Sequence, residues 1–165
     1  MSKHNVLPVQ ILALFLALSG TCSSFAASSA LENKRIVEKS FNNWRDGRGT
    51  PFDLMSPEAS WTIMGTAKYA GVYNSKREFL EQVIAPFNSR VQRPLRPTVN
   101  GLYADGNTVI ATFRGETIDN NKSLYINDYV WIFEMNDGKI IKATAYLDAP
   151  AFDRLMLDVE PKTES

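Results

Sequence analysis

Helical periodicity in the first half of the chain, followed by four runs of alternating apolar and polar residues, predicts an α+β fold. The expected form is a cone-shaped, strongly bent antiparallel sheet with N-terminal helices packed on its concave face. Three observations carry this expectation. The stretch Tyr125 to Asp148 reads as two long strands, rich in β-branched and aromatic residues and joined at Asn136-Asp137-Gly138. The runs before it, Thr98 to Tyr103 and Thr108 to Ile118, are joined by Asp105-Gly106-Asn107, so the sheet continues as a meander. A length of 165 residues with 44% hydrophobic content suits one domain with one core.

Residues 1–27 stand apart from that domain. Lys3 precedes an apolar run from Ile11 to Leu18, and small residues follow around Ser24-Phe25-Ala26, which is the layout of a secretory signal. The run is too short for a permanent membrane anchor. Cleavage is expected after Ala26 or Ala27, with Ala30 as a later alternative. The domain would then occupy 28–158, with a frayed tail at 159–165, and the protein would be secreted or periplasmic. Cys22 raises the question of lipid attachment, but lipid-modified cysteines follow a pattern with Leu three residues earlier, where this chain has Ser19.

Cleavage would change the available chemistry. The only His, His4, and the only Cys, Cys22, both lie in the segment to be removed. The mature chain would then lack Ser-His-Asp and Cys-His sites, internal disulfides, and any zinc site built on His or Cys. No metal and no cofactor is expected. Acid–base work would fall to Asp, Glu, Lys or Tyr. Loss of Lys3 takes the 18 basic residues one below the 18 acidic ones. A chain so nearly neutral points away from nucleic acid, and once the signal is gone no membrane partner is expected.

From Ser29 to Arg45, Leu31, Ile36, Val37, Phe41 and Trp44 fall near one helical face, with Ser28 or Ser29 available as N-cap and Asp46-Gly47 as the stop. Pro51 precedes a short helix over Phe52 to Met55. Ser56-Pro57 and Glu58 are expected to turn the chain into a strand, Ala59 to Met64, with Trp61 and Ile63 on one face. Tyr69 to Tyr73 reads as loop or short strand. Ser75 then caps a helix from Lys76 to Phe87, striped by Phe79, Leu80, Val83, Ile84 and Phe87 and interrupted near its end by Pro86. Arg90, Arg93 and Arg96, interleaved with Pro94 and Pro97, read as a solvated connector rather than a phosphate site. Arg114 and Glu116 share the outer face of the second meander strand. Ala149 to Leu157 reads as a last helix.

In the closing hairpin a three-residue loop, a type I turn plus a bulge, would pair Met135 with Lys139, Phe133 with Ile141, Trp131 with Ala143, Tyr129 with Ala145 and Asn127 with Leu147. Large rings then lie over small alanines, which suggests a concave aromatic surface. Tyr129 and Trp131 serve equally well as core residues. Asn127 on the same face is harder to explain that way.

Four pieces of sequence carry a resemblance: Phe41-x-x-Trp44 before Gly47, Trp61 to Gly65, Gly71-x-Tyr73 before the third helix, and Asp137-Gly138-Lys139-Ile140 through Tyr146-x-Asp148. Over Leu31 to Leu157 the chain resembles the SnoaL-like, ketosteroid isomerase-related branch of the nuclear transport factor 2-like superfamily. The resemblance implies a cone whose cavity takes apolar ring compounds, and pairing through the sheet's outer face into a homodimer. It does not carry the catalytic carboxylates across. The isomerase general base falls near Thr62 or Ile63, its first-helix tyrosine near Ser40 or Phe41, and its protonated acid near Tyr129 or Val130. The epoxide hydrolase carboxylate falls at Ala145, with its Arg and Asp near Phe113 and Gly115. Asp148 matches the branch's terminal acid, yet lies on the opposite face to Tyr129 and reads first as a helix N-cap.

The expected site is therefore a largely apolar cavity for a small ring-containing molecule. Trp44, Trp61, Ile63, Phe87, Asn127, Tyr129 and Trp131 are its expected ligand-binding residues, and Tyr129 and Asp148 are the candidates for any isomerase- or cyclase-type proton transfer. A non-catalytic, dimerising interaction module is the alternative.

Overall fold

The computed structural model describes residues 20–162, and side chains from residue 29 onward. The apolar run at Ile11 to Leu18 and His4 lie outside the described residues. The first helix, α1, spans Gly20–Arg45. It begins upstream of Ser28 and Ser29, so neither serves as its N-cap. Between Gly20 and Ala30 no Pro and no internal Gly interrupts a helix. Val37, Phe41 and Trp44 of α1 are buried, whereas Leu31 is 63% exposed, a correction to the expected stripe. The helix stops where Gly47 takes a left-handed φ of 79°. Among the described residues no helix is long and apolar enough to cross a membrane.

A 3-10 turn, Pro51–Leu54, leads into β1, Met55–Ile63. The strand starts earlier than expected, because its register against the neighbouring strand breaks between Met55 and Ser60 and the irregular stretch absorbs Pro57. A short β2, Gly71–Tyr73, follows. The next helix has three parts: α2, Lys76–Phe79; a π turn, Leu80–Ile84; and α3, Ala85–Ser89. Ser75 caps it as expected, its hydroxyl accepting from the Glu78 N–H at 3.1 Å. The π turn, in which the Ala85 N–H reaches back to the Leu80 carbonyl, ends next to Pro86, where a regular ladder would lose a donor.

The remaining strands are β3, Arg96–Asp105; β4, Thr108–Ile118; β5, Leu124–Asn136; and β6, Lys139–Leu147. A final helix, α4, spans Ala149–Asp158. The six strands form one sheet in the order β2-β1-β6-β5-β4-β3, antiparallel throughout except that β1 runs parallel to β6. The sheet curls without closing, and α1 crosses its concave side. The first residues of the tail are tethered rather than frayed: Val159 is buried, and the Lys162 N–H donates to the Ser89 carbonyl at 2.7 Å.

The β5–β6 hairpin differs from expectation by two residues. Its loop is only Asp137-Gly138, both with positive φ (47° and 71°), the signature of a type I′ turn. Asn136 therefore faces Lys139, and a bulge at Ile141 lets Met135 face Ile140 while Glu134 faces Lys142. Phe133 now opposes Ala143, Trp131 opposes Ala145, and Tyr129 opposes Leu147. A shift by two keeps every one of these side chains on its expected face. Only the residues up to and including the bulge change sides: Ile140 is fully buried and Ile141 is 44% exposed.

The outer face carries an in-register row across all six strands: Tyr103, Ile110, Ile132, Thr144, Thr62 and Val72. Ion pairs flank this band on both sides. Arg114 forks onto Asp128 at 2.9 and 2.8 Å, and Lys142 meets Glu134 at 2.8 Å. Arg114 thus pairs across the strands rather than with Glu116. In the arginine connector, Arg96 donates to the Trp44 carbonyl and Arg90 to the Pro86 carbonyl, so each satisfies the open end of a helix.

Candidate functional site

The interior of the cone is built from rings. Trp131, on β5, stands over Ala145 and is enclosed by Trp44 (stacked, 5.7 Å between centroids), Trp61 (edge-on, 4.9 Å) and Phe113 (edge-on, 4.7 Å). Trp61, from β1, lies flat on Phe79 of α2 at 4.3 Å. Small residues on the inner face make this possible, since Ala111, Ala143 and Ala145 are fully or almost fully buried beneath the rings. Gly115 serves the same purpose on β4: a Cβ there would come within 2.7 Å of Leu95 and 3.0 Å of the Tyr129 ring.

These rings leave a cavity of about 70 Å³ between the sheet, the π-containing helix and α4. Trp44, Trp61, Ile63, Phe87, Tyr129 and Trp131 all line it; Asn127 and Asp148 do not. Phe52, Leu95 and Phe152 line it as well. Phe152, on α4, stacks on Phe87 at 6.1 Å and meets the edge of Tyr69 at 5.8 Å, so α4 covers that side of the cone. Apart from Tyr129, no residue of the lining is ionisable.

Behind Tyr129 runs a chain of buried polar groups. The Tyr129 and Tyr125 hydroxyls are 2.9 Å apart. Asn127 donates from Nδ2 to the Tyr125 hydroxyl and to the Asp148 carbonyl, both at 2.9 Å, and its Oδ1 accepts the Asp148 N–H at 2.8 Å. The amide of Asn127 is thereby fully engaged with the protein, which explains a buried Asn on an otherwise apolar face. Asp148 is the N-cap of α4, its carboxylate accepting the Ala151 N–H at 3.4 Å. Burial pushes the Tyr125 phenol up to about 12 and that of Tyr129 well above its ordinary value, so both are neutral at physiological pH.

Tyr125 was not among the expected site residues, although Tyr125-x-Asn127-x-Tyr129 has the period-two spacing that puts all three on one face. The chemistry open to the cavity is correspondingly narrow. It offers apolar contact, stacking, one phenolic hydroxyl and the side-chain amide of Asn88. No carboxylate, Lys or Arg lines it, so none of its own groups can take a proton at neutral pH.

No family model and no curated protein matches the sequence. Solved structures do match over most of the chain. A nuclear transport factor 2-like protein from Burkholderia thailandensis is similar at 20% identity and a TM-score of 0.60, covering 75% of this chain and 96% of its own. TerC, co-crystallised with polyporic acid, is similar at 19% identity and 0.60, covering 75% and 97%. A putative SnoaL-like polyketide cyclase from Jannaschia is similar at 15% identity and 0.59, covering 78% and 93%. With its curled six-stranded sheet and the helix across the concave side, the chain has the cone fold of the nuclear transport factor 2-like proteins, with SnoaL-like proteins among its structural neighbours.

Proposed function

We propose that this chain is an exported small-molecule-binding domain that takes a neutral, ring-containing apolar molecule into the cone and hydrogen-bonds it through Tyr129. The observation that carries this reading is a cavity walled by Trp44, Trp61, Phe87 and Trp131 in which Tyr129 alone is ionisable. Apolar walls with a few polar groups, here Tyr129 and Asn88, are the usual design of a small-molecule site. The neighbour TerC, co-crystallised with polyporic acid, lends support from the same fold. Isomerase- or cyclase-type chemistry here would have to use Tyr129 as hydrogen-bond donor, with the base supplied by the substrate itself.

The size of the cavity sets a condition. An engineered apolar cavity of ~150 Å³ holds benzene, and this one is about half that at about 70 Å³. A ring compound therefore enters as a wall yields, and the walls outside the sheet include the π-containing helix, with Val83 and Phe87, and α4, with Phe152. Titration with hydrophobic ring compounds, followed by Trp fluorescence, tests the reading. Binding should weaken by about 0.5–1.5 kcal/mol in Tyr129→Phe, the net worth of one neutral hydrogen bond. Failure of any ring compound to perturb the three tryptophans would overturn it. Export has its own check: mass spectrometry of the secreted or periplasmic protein should give an N-terminus between Ala26 and Leu31, and retention of His4 would refute it.

A second reading concerns the outer face. The mostly apolar row from Tyr103 to Val72, with Thr144 and Thr62 within it and bordered by the Arg114–Asp128 and Lys142–Glu134 pairs, suits a self-complementary homodimer in which the band is covered and the charges form the rim.

A further inference from the structure

Two asparagines fasten α4, one at each end. At its start, Asn127 of β5 holds both backbone groups of Asp148. Beyond its end, Asn120, in the turn between β4 and β5, donates from Nδ2 to the Glu160 carbonyl of the tail at 2.8 Å and to the Ser89 carbonyl of α3 at 2.9 Å. Both partners can only accept, so the orientation of the amide is fixed. The Ser89 carbonyl also takes the Lys162 N–H at 2.7 Å, and the Asn120 N–H donates to the Arg90 carbonyl at 2.9 Å. One residue thus joins the end of α3, the tail after α4, and the sheet. Among the described residues the tail has no other hydrogen bond to α3 or to the sheet, and no ion pair reinforces the join.

We infer that Asn120 is a positioning residue of the cavity, a latch that holds α4 against α3 and so sets how fast a ring compound enters. The inference rests on the small-molecule reading above. Phe87 lies close before Ser89 in α3, and Phe152 of α4 stacks on it at 6.1 Å. Both rings line the cavity where the two helices meet, and parting them enlarges it while the sheet and α1 stay in place. The seam between α3 and α4 therefore has a ring stack in its middle and the latch at its end. Stacking is easily exchanged for contact with an incoming ring, whereas the bonds to Ser89 and Glu160 must break before the helices separate. With its start held by Asn127, α4 swings from its far end, which is where Asn120 acts. Asp153 Oδ1, on α4, is buried without a partner among the described residues, a cost that opening to water relieves. Leu155, Met156 and Val159, all buried, draw the helix back after each opening.

The test uses the full mature chain, two variants and two readouts. Asn120→Asp keeps the size of the side chain and the backbone turn but sets a carboxylate against two carbonyls. Lys162→Pro leaves Asn120 intact and removes the N–H that reaches Ser89, and it carries the test if the first variant does not fold. In the first readout, N-phenyl-1-naphthylamine, a neutral ring compound that brightens in apolar surroundings, is mixed with each protein in a stopped-flow fluorimeter. Either substitution should raise its rate of uptake about tenfold. The second readout needs no ligand: amide hydrogen exchange over α4 should quicken about tenfold in either variant, while β4 and β5 keep their protection. A residue that merely supported the fold would quicken exchange throughout the sheet. Uptake at the wild-type rate in both variants, exchange over α4 unchanged, or exchange quickened uniformly would each overturn the inference. Exchange quickened over α4 alone, with no uptake of the probe by any of the three proteins, would uphold the latch and sink the small-molecule reading instead.

Discussion

Trp44 of α1 and Trp131 of β5 lie face to face, 5.7 Å apart and 12° from parallel. This pair fastens the first helix to the middle of the sheet, and Trp131 also meets Trp61 and Phe113. Trp131→Ala should therefore cost about 3–5 kcal/mol, the range for removing a large buried ring that leaves a cavity behind. Urea denaturation would measure it, and a loss under 1 kcal/mol would mean that the ring contributes little to the core.

Asn127 has a different job from its aromatic neighbours. It holds the N–H and the carbonyl of Asp148, the residue that caps α4, and supports Tyr125 from the same amide. Asn127→Ala strips three bonds and should destabilise the protein by about 2–4 kcal/mol. Hydrogen exchange over Ala149–Asp158 should speed up before that of β4 and β5. Uniform acceleration across the sheet would count against a local role.

Alkaline pH should unfold the protein through its buried phenols. An unfolded tyrosine ionises near 10, whereas Tyr125 is held up to about 12 by burial, so the folded state favours the neutral form. The stabilisation is complete below about pH 10 and is lost as pH rises toward 12, to the extent of about 2–3 kcal/mol from Tyr125 alone. Denaturant midpoints taken between pH 8 and pH 11.5 should fall more steeply in the wild type than in Tyr125→Phe. Parallel curves would show that Tyr125 ionises no differently in the two states.

If two copies pair through the outer face, a charge in the middle of the band should separate them. Ile132 sits between Ile110 and Thr144 in the in-register row. Sedimentation at micromolar concentration should find a dimer for the wild type and a monomer for Ile132→Glu, with the thermal midpoint of the monomer changed only slightly. A wild type that sediments as a monomer removes the proposal.

Much of the cone was legible because period-two and period-3.6 patterns report which face is buried, whatever the detailed pairing. That is why Trp61, Tyr129 and Trp131 fall on the inner face even though the hairpin register differs by two. The turn itself was misread. Asn136-Asp137-Gly138 fits either a three-residue loop or a two-residue one, and the choice depends on the bulge at Ile141, which tertiary burial of Ile140 decides. Asn127 looked like a ligand group because sequence shows a polar side chain among apolar ones and not its partner. That partner is the backbone of Asp148, twenty-one positions on and invisible to any side-chain pattern. Leu31 failed for a different reason. Six and ten residues before Val37 and Phe41, it lies roughly 120° and 80° round α1 from them, off the face that packs on the sheet.

The parallel pairing of β1 with β6 governs the order in which the sheet can assemble. Strands β3 to β6 are joined by tight turns, so each closes a small loop and can zip onto its predecessor within the first productive encounters. Trp61, by contrast, meets Ala143 only after nearly the whole intervening chain has been brought round, and it carries β2 with it. The entropy of that closure falls late. In a mutational analysis of the folding transition state, substitutions in the Asp137-Gly138 hairpin should slow folding, whereas Trp61 and Val72 should act mainly on the rate of unfolding. A wall of the cavity is thus the last part of the sheet to arrive.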